Sequence, residues 1–248
     1  MSSIAQAQIP SSIVDAKRRE RIFYTGMSLA VAATVFAGFS RTWFLRPYFA
    51  QVQPLIPLLV VHGIIFSSWI ALFVTQTSLV AARRTRTHIS LGVAGGVLAC
   101  VLVIVGSVTA IIRSKGPSPI PGVNALTFLT IPLGDMLVFA ILIGSAFYFR
   151  YQKDAHKRLM LLGTIAMLPA AVARLPFDFI QQYGPLAFYG LSDLFIIPCL
   201  IFDFITRGRP HRATMFGALL LVLTQPLRII IGGTHAWLVF AGWLTHLI

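Results

Sequence analysis

Charged residues are scarce in this 248-residue chain: Asp, Glu, Lys and Arg make up 11%, and only seven positions are acidic. A soluble domain of this size needs a polar shell and normally carries about 25% charged residues. That shortage excludes an ordinary water-soluble globule. Cysteine is scarce as well, and Cys100 and Cys199 both sit inside apolar runs, so neither a disulfide framework nor a zinc motif is indicated. There is no Walker loop, no dinucleotide glycine fingerprint, no His-Glu-x-x-His and no nucleophile-elbow serine with triad partners. Those absences remove support for ATP-driven or serine-hydrolase chemistry, and the leading readings are non-enzymatic.

What is present is grease. Hydrophobic residues make up 57% of the chain, and the mean hydropathy is +0.83. A helix needs about 20 apolar residues to cross about 30 Å of hydrocarbon. Seven stretches qualify: Ile22–Leu45, Pro57–Ala82, Ile89–Ile112, Val123–Phe149, Leu159–Ile180, Leu186–Ile205 and Ala213–Ile231. The expected fold is therefore all-α, a polytopic transmembrane bundle of about seven helices. Residues 1–21 form a polar N-terminal segment, 22–231 the membrane domain, and 232–248 a short interfacial helix. That tail follows Gly232-Gly233 and carries His235, Trp237, Trp243 and His246, residues suited to a membrane–water interface. The apolar run after Lys17, Arg18, Arg19 and Arg21 is too long for a cleavable leader and reads as an uncleaved anchor.

The net charge of +13 would point to nucleic acid in a soluble protein. Here the basic residues are confined to short segments between spans, so nucleic acid is not an expected partner. With seven crossings, fourteen of the twenty Lys and Arg fall on the side of the N-terminus and three on the other side. The positive-inside rule then puts the N-terminus in the cytoplasm and the C-terminus outside, in a cell inner membrane. The lipid bilayer, with anionic headgroups at the basic face, is the expected partner. Membrane-protein partners or a homo-oligomer are open, for instance through the small residues Gly92, Gly95 and Gly96.

Ionisable residues at membrane depth are costly and mark candidate sites. His62, Arg174, Asp178, Asp193 and Arg228 all fall within about 10 Å of the outer helix ends at about 1.5 Å per residue. Arg41 lies at similar depth, and Asp135 is deeper. Arg174 and Asp178 are spaced for pairing on one helix face, and Asp193 and Arg228 are natural partners across helices. The set reads either as a structural charge network or as an outward-facing polar pocket that binds or passes a small polar ligand or protons. Pro132, Pro169, Pro176, Pro198 and Pro226 lie inside expected helices and predict kinks, three of them (Pro132, Pro176 and Pro226) beside Asp135, Asp178 and Arg228. At the basic face His88, His156 and His211 each open an odd-numbered span. They fit headgroup contact with lipid; ligation of haem b, above all by His88 and His156, or of a metal is the alternative. Asp203 is expected to pair with Arg207 or a neighbour.

His62-Gly63, Phe66-Ser67, Trp69, Phe73, Gln76, Leu79, Arg83, His88 and Leu91-Gly92 form one pattern, with Gly38–Thr42 and His156–Leu159 as further parts. It resembles a family of uncharacterised bacterial multi-pass membrane proteins, a likeness that implies the fold and no activity. A fainter likeness, to cytochrome-b-type membrane proteins, rests on the histidines near helix ends and implies haem. Those proteins place ligand pairs near both faces, whereas only His62 lies firmly within a span on the outer side here.

Overall fold

The computed structural model describes residues 11–49 and 55–248, and residues 1–10 of the polar N-terminal segment lie outside that range. The described residues contain helices and no strand. α1 (Ser11–Phe39) continues into a π turn, Ser40–Phe44, and is followed by α2 (Pro57–Ala81) and α3 (Thr85–Arg113). The short α4 (Ala125–Phe128) leads into α5 (Thr130–Tyr148). Then come α6 (Lys153–Ile165), α7 (Leu168–Val172), α8 (Asp178–Tyr183), α9 (Pro185–Asp193) and α10 (Ile196–Arg207). α11 (Arg212–Gly232) and α12 (His235–His246) close the chain.

Six segments are long and apolar enough to cross a bilayer: Asp15–Phe44, Pro57–Ala81, Thr85–Arg113, Ala125–Tyr148, Pro185–Arg207 and Arg212–Gly232. The chain is a multi-pass membrane protein. The expected fifth span, Leu159–Ile180, is not one helix. It breaks at Ala166–Met167 between α6 and α7 and loses helical form again over 173–177. Pro169 has no N–H to return to the carbonyl of Ile165, and Pro176 stands in the second break. The expected sixth span is likewise interrupted, at Leu194–Phe195. Of the five prolines expected to kink helices, only Pro226 lies inside an uninterrupted one. Pro132 and Pro198 stand in the first turns of α5 and α10, where a missing N–H leaves no internal bond unmade.

The interrupted segment still runs the depth of the bundle. Lys157 donates to Glu20 at 2.9 Å at one end, and Gly38 abuts the backbone of Ala171 at the other. Glu20 and Gly38 are about 27 Å apart along α1 at 1.5 Å per residue, close to the thickness of bilayer hydrocarbon. α6–α7 therefore runs parallel to α1. It is also the most enclosed part of the chain: Leu161, Leu162, Leu168 and Ala171 are all at most 1% exposed. α5 and α11 flank it, with Ile143 against Gly163 and Leu162 against Gly217.

The basic turns gather at one end of the bundle. Glu20 on α1, Asp154, Lys157 and Arg158 on α6, and Asp203 and Arg207 on α10 form one chain of ion pairs. At the opposite end the Trp43 indole donates to Ser67 and covers Gly63. α12 folds back there: Thr234 caps it, Trp237 Nε1 donates to the carbonyl of Leu126, and Ala241 packs with Ile111 and Leu129. The glycines of α3 meet neighbours within the same chain. Gly95 faces Leu72, Gly96 faces Phe147 and Gly92 lies by Gln76, so this small-residue stripe seats α2 and α5 rather than standing open.

Between helices in lipid, tight van der Waals packing replaces the hydrophobic drive, which makes the closest approach the most sensitive. A Cβ at Gly38 would collide with the Ala171 backbone, whereas Gly26 has open space around it. Gly38→Leu is therefore expected to cost about 1–3 kcal/mol, the usual range for overpacking. Thermal unfolding in detergent should show that loss, with Gly26→Leu close to wild type.

Candidate functional site

Two breaks and one proline surround a partly enclosed polar cavity. It is lined by Ile165, Ala166 and Pro169 at the α6–α7 break, by Tyr189, Ser192 and Asp193 before the α9–α10 break, by Asp135 on α5, and by Leu221, Gln225 and Arg228 around Pro226 on α11. The free space is enough for about one water molecule. Irregular backbone is tolerated at membrane depth where protein buries it or where it lines such a cavity.

Arg228 organises the site. One terminal nitrogen donates to Asp135 Oδ1 and to the Tyr189 hydroxyl (3.0 Å), and the other donates to Thr224 Oγ1 at 3.1 Å. Its Nε is buried without a partner among the described residues. The side chain lies across the backbone of α5 at Gly134, where a Cβ would come within 2.5 Å of Arg228 Cδ and Nε. Glycine one residue before Asp135 thus lets the guanidinium reach the carboxylate. Gln225, three residues before Arg228 and so on the same face of α11, donates Nε2 to Asp193 Oδ1 at 2.8 Å.

Depth counting placed Asp193 and Arg228 in one layer and Asp135 deeper, and all three line one cavity. It paired Arg228 with the wrong carboxylate: Asp135 takes the guanidinium, and Asp193 has an amide. Tyr189, Thr224, Gln225 and Gly134 carry no charge and so escaped that reading. Arg174, Asp178 and His62 do not line this cavity. Arg174 donates to its own Ala170 carbonyl at 2.5 Å and lies over the Phe39 ring at 4.7 Å. Asp178 opens α8 as an exposed residue; the irregular backbone at 173–177 removes the helical register that would have joined it to Arg174. His62 stacks on Phe66, with Nδ1 buried and unpartnered among the described residues. Arg41 lies over Phe49.

A second charged cluster stands at the basic end. Asp203 accepts from Arg158 Nε (2.9 Å) and Nη2 (2.5 Å), from Thr214 Oγ1 (2.5 Å) and from the His211 backbone N–H (2.9 Å). Its partner is Arg158, not the more exposed Arg207, because α6 brings Arg158 inward: Arg158 is 4% exposed and Asp203 1%. Four donors satisfy one carboxylate and tie α6, α10 and α11 together. Outside this cluster Lys157, 2.6 Å away, holds the Asp154 carboxyl below its ordinary range, assisted by Arg158 and Arg207.

The three basic-end histidines part company. His211 caps α11, its Nδ1 accepting from the Ala213 N–H at 3.0 Å. His88 and His156 approach each other, their ring centres 6.4 Å apart and their planes at 78°. No group of three or more His, Cys, Asp or Glu among the described residues is placed to hold a metal ion. No family model matches the chain, and neither does any curated protein or solved structure.

Two outcomes follow from the basic-end cluster. Removing Arg158 leaves the Asp203 charge buried and unneutralised, with only Thr214 and the His211 N–H still donating to it, so Arg158→Met should cost about 3–5 kcal/mol. The double variant Arg158→Met/Asp203→Leu should recover about half of that or more in the same unfolding assay, because the stranded carboxylate is gone. His211 accepts on Nδ1 only as the neutral ring. Burial first, then Arg158 and Arg207, pushes its pKa down, so the cap is intact above the ordinary value of about 6.5 and weakens as pH falls below it. Melting temperature should drop between about pH 7 and pH 5, and His211→Asn, which keeps a capping oxygen, should drop less.

Proposed function

We propose that this protein binds and passes a small monovalent cation, in the simplest case a proton, at the cavity between Asp135, Asp193 and Arg228. One observation carries the reading: two carboxylates share the cavity with one guanidinium. The lining therefore holds one negative charge more than it balances internally, at a depth where an uncompensated charge is costly. A proton or a bare monovalent cation is the compensation that fits a space of water size. An organic ligand would need the cavity to widen.

The surroundings favour movement through this point. Discontinuous helices mark the ion sites of many membrane transporters, because each break supplies backbone groups not spent on the helix itself. Here the α6–α7 and α9–α10 breaks both border the cavity, and the carbonyl of Ile165 lacks the N–H that Pro169 would otherwise give it. Tyr189, Thr224 and Ser192 add hydroxyls beside the charges. In this reading the basic end faces the cytoplasm of a bacterial-type inner membrane, and its arginines meet anionic headgroups. α12, with Phe240 and Trp243 exposed, lies in the opposite interface.

Purified protein in liposomes containing a pH-sensitive dye, with a potassium diffusion potential imposed, tests the reading. Wild type should show voltage-driven proton entry or, with tracer, sodium entry. Asp193→Asn should slow it by about tenfold or more, the scale of loss when a proton-carrying group is removed, with thermal stability largely kept because the amide still meets Gln225. Flux no greater than in protein-free vesicles for both ions would dismiss the proposal.

A further inference from the structure

His88 is the fourth residue of α3, and His156 is the fourth residue of α6. Sequence spacing separates them by 68 positions, yet their rings meet at the basic end, 6.4 Å between centres. The Nδ1 of His156 lies 2.8 Å from the carbonyl oxygen of Ala146. A carbonyl can only accept, so that nitrogen carries a proton, and in the neutral ring Nε2 keeps a free lone pair. This is the orientation that metal-ligating histidines take, with the other ring nitrogen held by a carbonyl or carboxylate. The Nδ1 of His88 is buried and has no partner among the described residues. The same holds for Oε1 of Gln76, whose Nε2 is anchored on the carbonyl of His88 at 3.2 Å. Buried polar atoms are normally satisfied. Two orphans, one on the histidine whose ring meets His156 and one on the glutamine bonded to that histidine's backbone, need a common explanation.

We infer that His88 and His156, with Gln76 beside them, form an imidazole-ligated transition-metal centre at the basic end of the bundle. The distance fits a trans pair. A nitrogen ligand sits about 2.1 Å from its metal, so two imidazole centres on one ion lie about 5 Å apart at a tetrahedral angle and about 6.5 Å apart when opposite each other. The 6.4 Å here matches the second. The donor set selects the metal class. Calcium and magnesium call for carboxylates and other oxygens, whereas two neutral imidazoles suit zinc, copper, nickel or iron. The carboxylates of this end are committed elsewhere, Asp154 to Lys157 and Asp203 to Arg158. His211, spent on its helix cap, stands outside the centre. The chemistry is shared by two sources, a bare ion and the iron of a haem, and experiment separates them. The centre is independent of the Asp135–Arg228 cavity, and neither proposal needs the other.

The test uses the full chain purified from haem-replete and metal-replete cells, examined by visible absorption and elemental analysis, and then stripped and titrated with Cu2+. A Soret band that is lost in both His88→Gln and His156→Gln supports the centre with haem as its source. Without a Soret band, one Cu2+ per chain with nitrogen splitting in its electron spin resonance supports a bare ion, provided each variant weakens it by at least about tenfold. Should the variants not fold, wild type alone decides, since a metal bound only by the native state raises the melting temperature. Such a rise, together with nitrogen splitting from two imidazoles, supports the centre. No Soret band and no metal binding by wild type, or binding that survives both substitutions unchanged, overturns it.

Discussion

Hydrocarbon offers a charged side chain no water, so every ionised group inside the bundle must find its partner in the protein. Two arginines set the architecture through that constraint. Arg158 takes Asp203 and so binds α6 to α10, with Thr214 and the His211 N–H adding α11. Arg228 takes Asp135 and so binds α11 to α5, with Tyr189 adding α9. The two clusters occupy different levels of the bundle and have α11 in common. Pairs of this kind contribute little net stability against an apolar replacement, but losing one member is severe. They act as register marks that leave each helix one acceptable height and rotation.

The central segment shows how one sequence choice serves packing and chemistry together. α6–α7 is the most enclosed element, yet it contains the α6–α7 interruption and Pro169. An irregular backbone facing lipid would leave carbonyls unsatisfied. Enclosure by α1, α5 and α11 removes that problem and turns the break toward the polar cavity. Small residues make the enclosure possible, since Gly38, Gly163 and Gly217 each stand where a Cβ would strike a neighbour.

Much of the fold was legible in the sequence, because the length of an apolar run is a one-dimensional property. The all-α multi-pass class and the basic end follow from it. The interruption of the fifth span did not, since Ala166, Met167 and Leu168 are as apolar as any helix and hydropathy does not register a missing N–H. The site was half legible for a related reason. Counting residues from a helix end gives height but not azimuth. Asp135, Asp193 and Arg228 share a cavity, while Arg174 and His62, at similar height, lie elsewhere. Arg158 looked like a loop charge because Lys157 precedes it, although Leu159 follows it directly. Only the rotation of α6 sends one outward and the other inward.

The pairing of Asp135 with Arg228 spans 93 residues of chain. At a synthesis rate of about 5–20 residues per second, the carboxylate leaves the ribosome roughly 5–20 seconds ahead of the guanidinium. During that interval α5 carries an acid with no mate, and α9, which brings Tyr189, is not yet made. Until α11 arrives, that carboxyl can avoid an unpaired charge only by keeping its proton or by staying near the aqueous boundary. The same long-range pairing that makes the finished bundle specific ties α5 to the end of the chain, and a chain stopped before α11 leaves the Asp135 carboxyl without its guanidinium.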